Sequence, residues 1–251
     1  MARSKVQDHS TDPFYAGPPR IRFNALGEAW GFVKQEPITW ALVMVVVLIG
    51  NSILWGVVNS LFFVGGGMDG FRWPWPREEV ALHLVLASVI NGFFLGGMYR
   101  IACRQVRGMP IRVNQLFSVL DVLNELAMGS IACATAVCLA TVICMVIPGL
   151  ILHGLLMFTL PLIVDARLRA FEAMRLSWNA LKTQWLSATL FHLVASFLSG
   201  LGFCFCLVGI VITGPLYVLA VTVLYRDYFP FKGSPYNAPH EKPQPFFDQD
   251  F

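Results

Sequence analysis

The sequence predicts an all-α polytopic membrane protein: six transmembrane helices in three hairpins, each preceded by an amphipathic helix at the cytoplasmic interface. Three observations carry that prediction. Of 251 residues, 56% are hydrophobic and only 13% charged, with a mean hydropathy of +0.63. A soluble domain carries about 25% charged residues, so this chain lacks the polar surface a water-soluble globule needs. Six apolar stretches reach spanning length, and Lys and Arg gather on one side of them. The composition excludes a disordered chain, a collagen, a coiled coil and a disulfide-stapled secreted module. The net charge of +3 is too small to indicate nucleic-acid binding, and no nucleic-acid partner is expected.

Residues 1–19 are polar, carry Pro13, Pro18 and Pro19, and read as a mobile cytoplasmic tail. Residues 20–229 form the membrane domain. Its first span covers 38–64, with Pro37 suited to a first helical turn. This segment is too long and too late for a signal peptide and is expected to be retained. The second span covers 80–98. No Asp, Glu, Lys or Arg occurs between Leu126 and Val164. That stretch is too long for one span and reads as two helices, 126–147 and 149–164, turning at Ile147-Pro148-Gly149. The second of these contains Pro161 and is expected to kink. From Trp185 to Tyr225 there is again no charged residue. It reads as helices 185–206 and 208–225, with Gly202 and Gly209 as candidate breaks. Residues 230–251 hold Pro235, Pro239, Pro243 and Pro245 and read as a Pro-rich cytoplasmic tail.

The cations fix the orientation. The N-terminal segment holds Arg3, Lys5, Arg20, Arg22 and Lys34. The second loop holds Arg100, Arg104, Arg107 and Arg112. The fourth holds Arg167, Arg169, Arg175 and Lys182, and the C-terminal tail Arg226, Lys232 and Lys242. Only Arg72 and Arg77, of 18 Lys and Arg, fall on the other side. The positive-inside rule then places both termini in the cytoplasm of a bacterial inner membrane.

Each hairpin follows an amphipathic segment. In 23–33, Phe23, Leu26, Trp30 and Val33 share a face. In 114–125, Leu116, Leu120 and Leu123 share one face, Ser118, Asp121 and Glu125 another, and Asn114 suits an N-cap. In 166–182, Leu168, Phe171, Met174, Trp178 and Leu181 make an apolar stripe. Arg169, Glu172, Arg175, Asn179 and Lys182 make a polar one, and Ala170, Ala173, Ser177 and Ala180 a narrow small-residue face. Ala29-Trp30 with Lys34 and Trp40 resembles Ser177-Trp178 with Lys182 and Trp185, and two hairpins end in Tyr-Arg, at Tyr99-Arg100 and Tyr225-Arg226. Three repeats of one unit follow from this wording; interfacial Trp and Arg common to all polytopic proteins are the plainer explanation.

Pro148-Gly149-Leu150, the run from Phe158 through Pro161 to Asp165, and Glu172 through Ser177-Trp178 to Lys182 form a signature. With it the chain resembles the YciC-like group of uncharacterised bacterial integral membrane proteins over roughly residues 20–230. The resemblance implies a six-helix inner-membrane protein with no established reaction.

No ionised side chain lies inside the six spans, which counts against an ion-driven carrier with a buried acidic site. Asp165 reads as an interfacial cap or a partner for Arg167 or Arg169, and Asp121 and Glu125 as solvated. His153 and His192 sit deepest among the span histidines. A membrane histidine can ligate haem or a pigment; the commoner role is an interhelical hydrogen bond. No cofactor is expected. Asn51 and Asn91 are candidate polar links between the first two helices, and Gly92 and Gly96 a close-packing face. None of the six cysteines forms a CxxC pair, and no metal site is expected. No Walker A loop, GxSxG elbow or HExxH motif occurs, so no enzyme is expected.

Arg104, Arg107, Arg169, Arg175 and Lys182 are candidates for holding anionic lipid headgroups. Trp73 and Trp75 in the external loop, and Phe246, Phe247 and Phe251 in the tail, are candidate docking residues for other membrane subunits. The leading expectation is a structural or adaptor subunit of a membrane complex. The alternatives are transport or handling of a lipid or neutral substrate, and pigment or haem binding. A polar cavity at mid-membrane lined by Asn51, Asn91 or His153 would favour lipid or neutral-substrate handling.

Overall fold

A computed structural model describes residues 20–63, 77–144 and 146–229, all helix and turn. Nine α-helices are described: α1 (Asn24–Gln35), α2 (Pro37–Phe63), α3 (Arg77–Val106), α4 (Leu123–Cys144), α5 (Val146–Leu155), α6 (Thr159–Ala166), α7 (Ala170–Leu181), α8 (Trp185–Gly200) and α9 (Cys206–Tyr228). A 3-10 segment, Val113–Val122, precedes α4. Six helical stretches are long and apolar enough to cross a membrane, α5 and α6 together making the fourth. The protein is thus an all-α, multi-pass membrane protein. In a bilayer every backbone polar group must be satisfied within the protein, which restricts lipid-facing segments to such helices.

Several boundaries differ from those read in the sequence, each for a local reason. Helix α3 continues to Val106, so Arg100 and Arg104 lie on the helix rather than in a loop. Cations there complement the negative C-terminal end of the helix dipole. The chain turns only at Gly108, whose φ of +74° suits glycine. The second amphipathic segment winds as 3-10, in which residues three apart eclipse. Leu116 and Val119 are therefore its buried pair, and Leu120 is exposed. Arg112, not Asn114, occupies the cap position, where Gln115 Oε1 accepts the Arg112 N–H at 3.2 Å.

Pro148 lies in the first turn of α5, where a missing N–H costs nothing, so the turn falls before it. The kink expected near Pro161 is a full break at 156–158, with Pro161 in the first turn of α6. Helix α8 ends at Gly200, six residues before the expected boundary, and a 3-10 turn Leu201–Phe205 leads into α9. In that hairpin Gly202 and Gly209 meet backbone to backbone, leaving no room for a Cβ on either.

The amphipathic segments pack in an order the sequence does not announce. Helix α1 precedes the first hairpin but lies on α9, in the third. The 3-10 segment precedes the second hairpin but lies on α3, in the first. Helix α7 precedes the third hairpin but lies on α6 and α4, in the second. Each segment thus seats on the hairpin before its own, and the first closes the ring on the last.

The inward faces are small. Helix α1 buries Ala25, Ala29 and Val33, while Phe23 is exposed and Leu26 and Trp30 are half-buried. Helix α7 buries Ala170, Ala173, Ser177 and Leu181, while Phe171 and Trp178 point outward at 66% and 43% exposure. Of the apolar stripes read in the sequence, Val33 and Leu181 are buried, while the bulkier Phe23, Phe171 and Trp178 lie outside the contact. Lipid tails are as apolar as Leu, so no hydrophobic drive turns those stripes inward; close backbone approach decides.

Candidate functional site

Polar chemistry concentrates in two places. The first is the end of the bundle that carries the Arg-rich segments. There the two Tyr-Arg pairs have matching roles. Arg100 Nη1 pairs with Asp121 on the 3-10 segment at 2.7 Å, and Arg226 Nη1 pairs with Glu28 on α1 at 2.6 Å. Each arginine therefore ties its hairpin to the amphipathic segment seated on it. Arg22 Nε donates to Asp227 at 2.6 Å, and this bond raises the Arg22 pKa above its ordinary value.

Asp165 accepts from Arg107 and, at 3.1 Å, from the Tyr225 hydroxyl. Its partner is neither Arg167 nor Arg169, because the α6 C-terminus turns at Arg167 through a left-handed φ of 54°. Arg167 instead joins Asp121 at 2.8 Å. Asp121 is thus a bridge between two arginines rather than a solvated acid. Glu125 is likewise engaged: its Oε2 accepts the Ala170 N–H at 2.9 Å and serves the α7 N-terminus, where Arg169 supplies no side-chain cap.

The candidate headgroup cations divide accordingly. Arg107 pairs with Asp165 and so links the bundle internally, with 28% of its side chain exposed. Arg104 is half-buried on α3, its Nε without a hydrogen-bond partner. Arg169, Arg175 and Lys182 are exposed along α7, and Lys182 donates to Asn179 Oδ1 at 3.1 Å. Trp73, Trp75, Phe246, Phe247 and Phe251 lie outside the described residues.

The second place is a cleft of about 410 Å³ between α3, α4, α5 and α9. Ser88, Asn91 and Gly92 line it from α3, Ser130 and Cys133 from α4, His153 from α5 and Tyr217 from α9, with Tyr99 among its walls. No Asp, Glu, Lys or Arg lines it. It is open on one side, where Leu84, Asn91, Ala134 and His153 are exposed. Below the opening α3 and α4 touch closely: a Cβ on Gly92 would strike Ser130, and one on Gly96 would strike Leu126. Both glycines therefore pack within the chain.

The structure brings His153 and His192 together. Their rings stack with centroids 4.3 Å apart and planes inclined by 32°. His192 Nδ1 lies 3.1 Å from the Tyr217 hydroxyl, and Tyr99 lines the same cleft. Four spans thus contribute to one polar cluster of Tyr99, Tyr217, His192 and His153, with His153 at its open end. Asn91 and Asn51 do not meet: Asn51 Oδ1 is buried without a partner, while Asn91 faces the cleft. Among the described residues no group of three His, Cys, Asp or Glu converges as a metal ion needs.

The sequence reading missed Tyr217 and the inward role of Tyr99. A signal was present, since a tyrosine inside an apolar span must find a partner for its hydroxyl. A larger groove of about 660 Å³ runs between α1, α8 and α9, but its lining is apolar apart from the Thr213 hydroxyl and the Trp30 indole. That hydroxyl is already held by Ser199 O and Gly209 O, which leaves the groove fewer polar groups than the cleft.

No protein-family model, curated protein or solved structure matches this chain at a significant level.

Proposed function

We propose that this protein binds a neutral lipid or lipid-like amphiphile in the cleft between α3, α4, α5 and α9, as a handling or transport protein of the bacterial inner membrane. One observation carries the proposal. The cleft lies within the apolar spans, opens on one side, carries no ionised residue and presents Asn91 and His153. A volume of about 410 Å³ falls in the range of about 300–1,000 Å³ typical of ligand sites. An apolar cleft with a few convergent polar groups is suited to orient an uncharged head while its chain remains in lipid. In this reading the Arg-rich end and both termini face the cytoplasm, and the signature from Pro148 to Lys182 belongs to the YciC-like group. The adaptor role rests on residues in the external loop and the tail, so the cleft supports the lipid reading better.

Purification in mild detergent, followed by mass spectrometry of extracted lipids, tests it. Wild type should carry one neutral lipid class enriched over the surrounding membrane. Ala134→Phe, which fills the cleft from an exposed position, should lose it. Identical profiles for both proteins, matching the bulk membrane, would overturn the proposal.

A further inference from the structure

Resting on that reading, we infer that the cleft selects a quinone-type lipid, meaning a flat, uncharged ring with a carbonyl oxygen at opposite edges and a prenyl chain. The first argument is depth. The hydrocarbon core is about 30 Å thick, so phospholipid headgroups lie about 15 Å from its centre. Asn91, His153 and Tyr217 instead lie well inside the spans Leu82–Val106, Val146–Ala166 and Gly209–Tyr228. A lipid whose polar group reaches them must tolerate the middle of the bilayer, and it must be uncharged, because no cation or anion lines the cleft.

The second argument is the inventory of donors. Ser88 Oγ donates to Leu84 O and Ser130 Oγ to Leu126 O, each at 2.7 Å. The Tyr217 hydroxyl is engaged with His192 at 3.1 Å, and a thiol such as that of Cys133 is a weak donor. Among the described residues, the exposed cleft-lining side chains with a strong donor are Asn91, through its amide NH₂, and His153, through one ring N–H, whereas Tyr99 is buried. They sit on different helices, α3 and α5. Two donors held apart on rigid elements match a rigid head with two separated acceptors. The His153 ring, exposed in the cleft and packed on His192, offers an aromatic surface for a flat ring.

The third argument is the exit. Leu84 and Ala134 at the rim are exposed, whereas Gly92 on Ser130 and Gly96 on Leu126 close the seam towards the Arg-rich end. A long chain attached to a head in the cleft leaves sideways into the bilayer between α3 and α4.

The full-length protein, purified from a quinone-containing membrane, is extracted with organic solvent and its quinone quantified by the oxidised-minus-reduced ultraviolet spectrum. Wild type should retain close to one quinone per chain. Asn91→Leu and His153→Phe should each retain at least tenfold less, with helical content and Tm in detergent kept as a check on folding. A short-chain quinone analogue added to delipidated protein should raise the Tm of wild type and not of either variant. A different neutral lipid, lost in Ala134→Phe, would overturn the quinone inference and leave the cleft reading standing. Quinone retained equally by Ala134→Phe would show adventitious partitioning and overturn the inference. Absence of any enriched neutral lipid, with no Tm shift, would overturn both.

Discussion

The Ser177 hydroxyl repairs the break at Phe158. Ser177 Oγ accepts the Phe158 N–H at 3.2 Å and donates to Leu155 O at 2.7 Å. A side chain on the small face of α7 thereby satisfies both backbone groups that the interruption between α5 and α6 frees. Ser177→Ala should cost about 1–3 kcal/mol, since it leaves a buried donor and a buried acceptor unpaired. Thermal unfolding in detergent measures this, and Ser177→Thr, which keeps the hydroxyl, should recover part of the loss. An unchanged Tm for the alanine variant would show that α6 is held by packing alone.

The two aspartates of the Arg-rich end should differ in weight. Asp165 is 11% exposed and its partner Arg107 28%, whereas Asp121 is 36% exposed. Breaking a fully buried pair costs about 3 kcal/mol or more, and the part-buried Asp165–Arg107 pair should fall below that figure. An exposed pair contributes at most about 1 kcal/mol. Asp165→Asn should therefore lower stability well beyond Asp121→Asn in denaturant unfolding. Equal effects would refute this ranking.

Glu125 reaches from α4 to the start of α7. Glu125→Ala should cost about 1 kcal/mol, the scale of losing an N-cap, and Glu125→Gln should retain most of the stability because it keeps an acceptor. Limited trypsin digestion is a direct readout, since Arg167 and Arg169 are exposed beside the contact. Cleavage there should accelerate in the alanine variant. Equal rates in both variants would refute the capping role.

Two glycines give opposite expectations. A Cβ on Gly97 would strike the backbone carbonyl of Leu116 on the 3-10 segment, whereas one on Gly27 meets nothing within 4 Å. Gly97→Ala should destabilise by about 1–3 kcal/mol through overpacking. Gly27→Ala, inside α1, should stabilise by up to about 1 kcal/mol from helix propensity. Paired Tm measurements in one detergent decide both.

The number and order of the spans were legible because the bilayer acts on each segment separately. Apolar runs and the Lys/Arg partition were enough to place α2, α4, α8 and α9 within a few residues, apart from the early end of α8. Packing was less legible. Hydrophobicity ranked Phe171 and Trp178 above Ala170 and Ala173, yet the alanines face inward. The 3-10 winding of Val113–Val122 left no mark in an α-helical periodicity. The stacking of His153 on His192 joins positions on different hairpins, and nothing local to either residue announces the other. Asp121 and Glu125 looked solvated for the same reason: their partners, Arg100, Arg167 and the Ala170 N–H, come from distant parts of the chain.

The seating of α1 on α9 bears on biogenesis. Its dock does not exist until the third hairpin has been synthesised, so the earliest helix must wait while the others assemble. The 3-10 segment and α7 each find their seats as soon as they emerge from the ribosome. The Arg226–Glu28 and Arg22–Asp227 ion pairs can therefore form only once α9 has been made. A nascent chain stopped short of α9 lacks the surface on which Ala25, Ala29 and Val33 are buried, so α1 stays unpaired until the last span is in place.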